Sequence, residues 1–94
     1  MNKLIHIGFG NIVNTSKIIA IVCPDSAPVK RLVQKAKENG TVIDATQGRK
    51  TKSVLVMESS QIVLSALLPE TIAGRAQGAF ADEEAEGATE QENK

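Results

Sequence analysis

Three cations crowd one short stretch of the chain. They are Arg49, Lys50 and Lys52, within Asp44-Ala45-Thr46-Gln47-Gly48-Arg49-Lys50-Thr51-Lys52, and no carboxylate follows them until Glu58. The chemistry open to such a group is recognition of an anion, and phosphate is a common anionic partner of arginine and lysine side chains. An ordinary solvated turn is the plainer alternative, since Lys and Arg are mostly exposed in any protein. Lys17, at the polar mouth of an apolar run, is a second candidate for an anion contact.

Other chemistries lack their residues. No nucleophile and base pair can be assembled, no metal-ligand spacing is present, and no phosphate loop is complete, so neither an enzyme nor a cofactor or small-molecule substrate is expected. Cys23 is the only cysteine. An internal disulfide and a structural zinc site are therefore excluded, and its place at the end of an apolar run suggests a small core residue. Gly8-Phe9-Gly10 after a strand invites a dinucleotide-loop reading, but the third glycine position holds Val13 and no helical pattern follows. The glycines instead suit a tight bend or a close backbone approach at a subunit contact. His6, with no ligand or nucleophile nearby, is read as structural.

The elements that must carry the cations are short and β-rich. Thr41-Val42-Ile43 and Ser53-Val54-Leu55-Val56 flank the basic stretch, which predicts a hairpin with the charges at its tip and Gly48 supplying a positive φ. Leu4-Ile5-His6-Ile7 and Ile12-Val13 read as strands. Lys17-Ile18-Ile19-Ala20-Ile21-Val22 is continuous enough to be a central strand covered on both faces. Pro24-Asp25-Ser26-Ala27-Pro28 opens a helix, with Asp25 or Ser26 as cap and Pro28 in the first turn. Val29, Leu32, Val33 and Ala36 form its apolar face, and Asn39-Gly40 ends it. Ser53 to Met57 pairs with Ile62-Val63-Leu64 through Glu58-Ser59-Ser60-Gln61, giving a further hairpin. Pro69-Glu70-Thr71 starts a short helix that Ile72 and Ala73 can dock. The fold class is α+β, a small sheet of short strands and hairpins with one amphipathic helix and a short C-terminal helix.

Charge divides the 94 residues in two. Through Arg75 there are ten basic against five acidic residues, a net of plus five, and from Ala76 onward Lys94 stands alone against six carboxylates, a net of minus five. Residues 77–94, mostly Ala, Gly, Glu, Asp and Gln with one Phe80, cannot offset their ordering entropy and are expected to be a disordered acidic tail behind a body of residues 1–76. The basic body points to a polyanion partner. Two Phe and no Trp or Tyr leave a core of Ile, Val, Leu and Ala. So small a core predicts help from an oligomeric partner. No stretch reads as a signal peptide or membrane span, so a cytoplasmic location is expected.

Four stretches together also carry a resemblance. Ile7-Gly8-Phe9-Gly10-Asn11, Pro24 to Pro28 with Lys30-Arg31, Ile43-Asp44-Ala45-Thr46 leading to Gly48-Arg49, and Leu64-Ser65-Ala66 with Pro69-Glu70-Thr71 resemble the small bacterial RemA family, regulators of extracellular-matrix genes. The resemblance runs from about Leu4 to Arg75, and the acidic tail lies outside it. It implies a DNA-binding transcription regulator that assembles into a homo-oligomeric ring, with contacts to double-stranded DNA at Lys17, Arg49 and Lys50. Lys52 joins them from the residue reading alone. The family often has arginine where this chain has Lys17 and Lys50, and an aromatic residue at the position of Gln47. Lysine still neutralises a phosphate but lacks the bidentate fork that reads guanine. Two other functions fit the composition: an RNA-binding module, and a non-enzymatic oligomeric scaffold whose basic turn binds an acidic protein or the chain's own tail. The absence of paired aromatics on a strand weighs against single-strand stacking.

Overall fold

The computed structural model describes residues 3–80. Two sheets form. The first is a hairpin of β1 (Leu4–Gly8) and β2 (Asn11–Asn14). The second has four strands in the order β3-β5-β6-β4, where β3 is Ile18–Val22, β4 Val42–Asp44, β5 Ser53–Met57 and β6 Ile62–Ser65. Helix α1 (Ala27–Asn39) joins β3 to β4, and α2 (Pro69–Phe80) follows β6.

Alternation along β5 and β6 explains the layering. Leu55 and Val63 face one side, where they bury with Ile5, Ile7, Ala45 and Ile72. Val54, Ile62 and Leu64 face the other side and pack with Ala36, Val29, Val33 and Val42. The hairpin β1–β2 and α2 thus cover one face, and α1 covers the other. Because β5 and β6 are buried on both faces, each large side chain there matters. Truncating fully buried Leu55 to alanine is worth about 2–5 kcal/mol.

Helix α1 follows its sequence signals closely. Ser26 is the N-cap, its Oγ accepting from the Val29 amide at 3.3 Å, and Gly40 closes the helix at φ 75°. Val29, Val33 and Ala36 meet the sheet as the spacing predicts, whereas Leu32 remains partly exposed. The β5–β6 hairpin through residues 58–61 also forms as expected.

Three expectations are corrected. The strand at Lys17–Val22 is not central: β3 lies at a sheet edge, pairs only with β5 and leaves Ile19 66% exposed. The positions covered on both faces belong to β5 and β6. Cys23 is exposed rather than in the core, because the chain leaves that edge strand just before it. The basic stretch is not a hairpin tip. β4 pairs parallel with β6, so the connection from β4 to β5 crosses the end of β6 instead of turning back on a neighbour. Helix α2 runs to Phe80, into the first residues assigned to the tail, and the rest of the tail lies outside the described residues.

Candidate nucleic-acid interface

The cationic connection is held at both feet by β6. The Ala45 amide donates to the Leu64 carbonyl at 2.9 Å, and the Lys52 amide donates to the Ser65 carbonyl at 2.8 Å. Ala45 and Thr46 are buried, so the ascending limb is part of the core. Asp44 then locks the start of the turn, its Oδ1 accepting from the Thr46 amide at 2.9 Å and the Thr46 hydroxyl at 2.6 Å. The Thr46 hydroxyl, with its amide adding to the effect and Lys37 assisting, holds the Asp44 carboxyl below its ordinary value.

The tip itself is a tight reversal. The Arg49 amide donates to the Thr46 carbonyl at 2.9 Å across Gln47 (φ 55°) and Gly48 (φ 80°). Two successive positive φ values closed by such a bond are the signature of a type I′ turn. Gly48 adopts this region without strain, as the sequence predicts, but Gln47 does not. Arg49, Lys50 and Lys52 emerge exposed, and none of the three makes an ion pair among the described residues. The carboxylate at the start of this loop, Asp44, is occupied with Thr46.

Lys17 lies elsewhere. It ends a 3-10 turn, Thr15–Lys17, whose Asn14 cap accepts from the Ser16 amide at 3.0 Å. Its carbonyl receives the Glu58 amide at 2.7 Å, and its Nζ lies 3.4 Å from Glu58 Oε1. Both side chains are about 60% exposed, so the pair is a weak, screened one. The position is decisive for the site. Lys17 sits beside the Met57 end of β5 while Lys52 precedes its Ser53 end, which separates them by roughly five residues of strand, about 16 Å. One chain therefore brings together Arg49, Lys50 and Lys52 but not Lys17.

Two residues acquire roles that spacing did not suggest. Phe9, at the tip of the β1–β2 hairpin, has its ring centroid 5.6 Å from the Arg49 guanidinium carbon. The signal available in the sequence was only its place between two glycines. Arg75, counted among the basic residues of the body, is buried, and its Nη1 donates to the His6 carbonyl at 3.0 Å, tying α2 to β1. It belongs to the packing rather than to the charged surface. His6 itself has an exposed side chain and serves through that carbonyl.

A groove of about 650 Å³ runs between the hairpin β1–β2 and the sheet, lined by Ile12, Val13, Ile43, Met57 and Val63 with Lys17 and Glu58 at its rim. Ile12 and Ile43 are about half exposed. No described helix is long and apolar enough to cross a membrane.

The fold and the loop define a small α+β protein that displays an anchored cationic turn on one end of a four-stranded sheet. The chain belongs to the RemA-like family, described as extracellular matrix regulatory protein A-like, whose model matches residues 4–76. It is similar to a protein of Lachnoclostridium phytofermentans, 68% identical over 75 residues that cover 80% of this chain and 82% of that one. A relative in Alkaliphilus metalliredigens is 54% identical over 88 residues, covering 94% and 95% of the two chains. One in Dictyoglomus turgidum is 60% identical over 82 residues, covering 87% and 96%. All three are named as regulatory proteins, and a regulatory role is the role this family carries.

Proposed function

We propose that the protein is a DNA-binding transcription regulator that assembles into a homo-oligomeric ring and meets duplex phosphates through the Arg49, Lys50 and Lys52 loop, with Lys17 contributing from a separate position. The observation that carries this reading is the anchored loop itself. Three exposed cations without ion-pair partners among the described residues stand on a turn whose feet are hydrogen-bonded to a core strand. Fixed cations lose less freedom on meeting a phosphate than cations on a loose segment do. By its family description the genes controlled are those of extracellular matrix, and the expected location is the cytoplasm. Residues 1–76 would form the DNA-binding and oligomerisation body, with the acidic segment beyond it.

The ring follows from number. Three phosphates neutralised by one chain give a slope of log affinity against log salt of only about −2.7, too few contacts for tight binding. Repeating the loop around an assembly adds contacts at high effective concentration. It also allows Lys17 of one subunit to act beside the Arg49 loop of another, which a single chain does not. Exposed Ile19 on an open sheet edge and the groove at Ile12 and Ile43 are surfaces suited to such contacts.

The test is fluorescence anisotropy with AT-rich and mixed-sequence duplexes, and a structured RNA of equal length, at several salt concentrations. Wild type is compared with Arg49→Glu/Lys50→Glu after both are checked for equal assembly. Salt-sensitive duplex binding that disappears in the double variant supports the reading, and a slope steeper than about −3 supports contacts from several subunits. Equal binding by both proteins, or preference for the RNA, sinks it.

A further inference from the structure

We propose that Phe9 is a positioning residue for the cationic loop: its ring face holds the Arg49 guanidinium where that group meets an anion. The two residues are forty positions apart in the chain and lie in connections belonging to different sheets, yet the guanidinium carbon stands 5.6 Å from the ring centroid. That distance is within the range of a cation–π interaction.

The backbone at Phe9 argues that the ring is placed there for a contact. Gly8, Phe9 and Gly10 have φ of 109°, 52° and 80°, three consecutive residues in a region that L side chains avoid. Glycine or asparagine would adopt the middle position with less strain. Phenylalanine gains little burial in exchange, since it remains 47% exposed and lies outside both core clusters. The tip is nevertheless fixed. Asn11 Nδ2 donates to the Gly8 carbonyl at 3.0 Å, and the β1–β2 register shifts between His6 and Gly8 to form the bend. A rigid, strained tip thus presents an aromatic face to one member of the cation cluster.

The consequence falls on Arg49. Its side chain makes no ion pair among the described residues, so the ring is what limits its rotamers. A contact with the ring's π face uses no guanidinium N–H, which leaves those donors for the anion. Prior restriction of a long side chain reduces the ordering cost of binding. The effect on affinity rests on the duplex-binding reading given above; the effect on Arg49 does not.

The experiment compares Phe9→Leu and Phe9→Trp, each alone and combined with Arg49→Ala, in the full chain. Leucine keeps apolar bulk but removes the π face, and tryptophan restores it. Native mass spectrometry reads assembly, anisotropy reads duplex affinity, and NMR of labelled arginine reads the Arg49 side-chain resonances. Phe9→Leu should weaken duplex binding about three- to five-fold, the size of an exposed cation–π contact. Phe9→Trp should restore it, and in the Arg49→Ala background Phe9→Leu should change nothing further. The Arg49 resonances should carry a ring-current shift that is present in wild type and Phe9→Trp and absent in Phe9→Leu. Wild-type affinity in Phe9→Leu, an equal loss with Arg49→Ala already present, or an altered assembly mass overturns the proposal. Should wild type bind no duplex at all, the duplex reading fails by itself. Positioning is then decided by the Arg49 resonances, where one shift shared by all three proteins overturns it.

Discussion

Asp44 accepts both the amide and the hydroxyl of Thr46 on a single carboxylate oxygen, Oδ1, at 2.9 and 2.6 Å. That pairing engages the carboxylate at the start of the loop and fixes the entry to the turn. It also makes the loop acid-sensitive. The carboxyl is held below its ordinary value of 3.8, chiefly by the Thr46 hydroxyl, so the folded protein favours the ionised form. A depressed acid contributes stability that is fully present above its unfolded value and is lost as pH falls through its folded one. Urea midpoints of wild type and Asp44→Ala should therefore differ by a constant amount well above the ordinary value of 3.8 and converge as the pH falls below it. A gap that persists unchanged into the acid range would rule out ionised Asp44 as the lock.

Gly48 is the position where a side chain fits in space but not in backbone. An added Cβ would meet nothing within 4 Å, yet φ is 80°. Gly48→Ala should destabilise by about 1–2 kcal/mol through the left-handed backbone alone, and Gly48→Asn by less. Chemical denaturation of the two variants checks the order; alanine no worse than asparagine would contradict it.

The Lys17–Glu58 pair separates stability from binding. Both groups are well exposed, so Glu58→Gln should move stability by no more than about 0.5 kcal/mol. If Lys17 meets a phosphate, Lys17→Gln should lower duplex affinity and make the salt slope shallower by about one for each Lys17 engaged. An unchanged slope would remove Lys17 from the contact surface while leaving the Arg49 loop in place.

Assembly can be tested at the groove. Ile43, on edge strand β4, lies beside Ile12 and Met57 with about half of its surface exposed. Ile43→Asp should leave the circular dichroism of the chain intact, since the position is not in the monomer's core, and should lower the assembled mass by native mass spectrometry. An unchanged mass would place the subunit contacts elsewhere, with the exposed edge at Ile19 as the next candidate.

Much of the architecture was legible where neighbours in sequence interact. The N-cap at Ser26, the apolar face at Val29, Val33 and Ala36, the Gly40 stop, the β5–β6 hairpin and the α+β class all depend on contacts within a few residues or on a single periodicity. The cations Arg49, Lys50 and Lys52 were identifiable for the same reason, since charge density along the chain is a local property. Lys17 was identifiable as a polar lysine at a strand mouth, but its carboxylate partner 41 residues on was not.

What the sequence determined by itself was therefore the inventory: which segments are strands or helices, where a positive φ is required at Gly48, and which loop carries unopposed positive charge. Which strand each edge would pair with was decided only in the tertiary structure. Val42 and Ile43 are as well suited to an antiparallel partner as to a parallel one. They lie beside β6 because β5 is already paired on both sides, with β3 and, through the short turn at residues 58–61, with β6, and because Val42 packs in the apolar layer beneath α1 with Ile62 and Leu64. The eight residues between β4 and β5 are long enough to cross a strand end, so nothing local forbids either pairing. That long-range choice turned an expected hairpin into a bridge over β6, while the antiparallel β3–β5 pairing put Lys17 at the far end of β5 and the separate β1–β2 hairpin set Phe9 over Arg49.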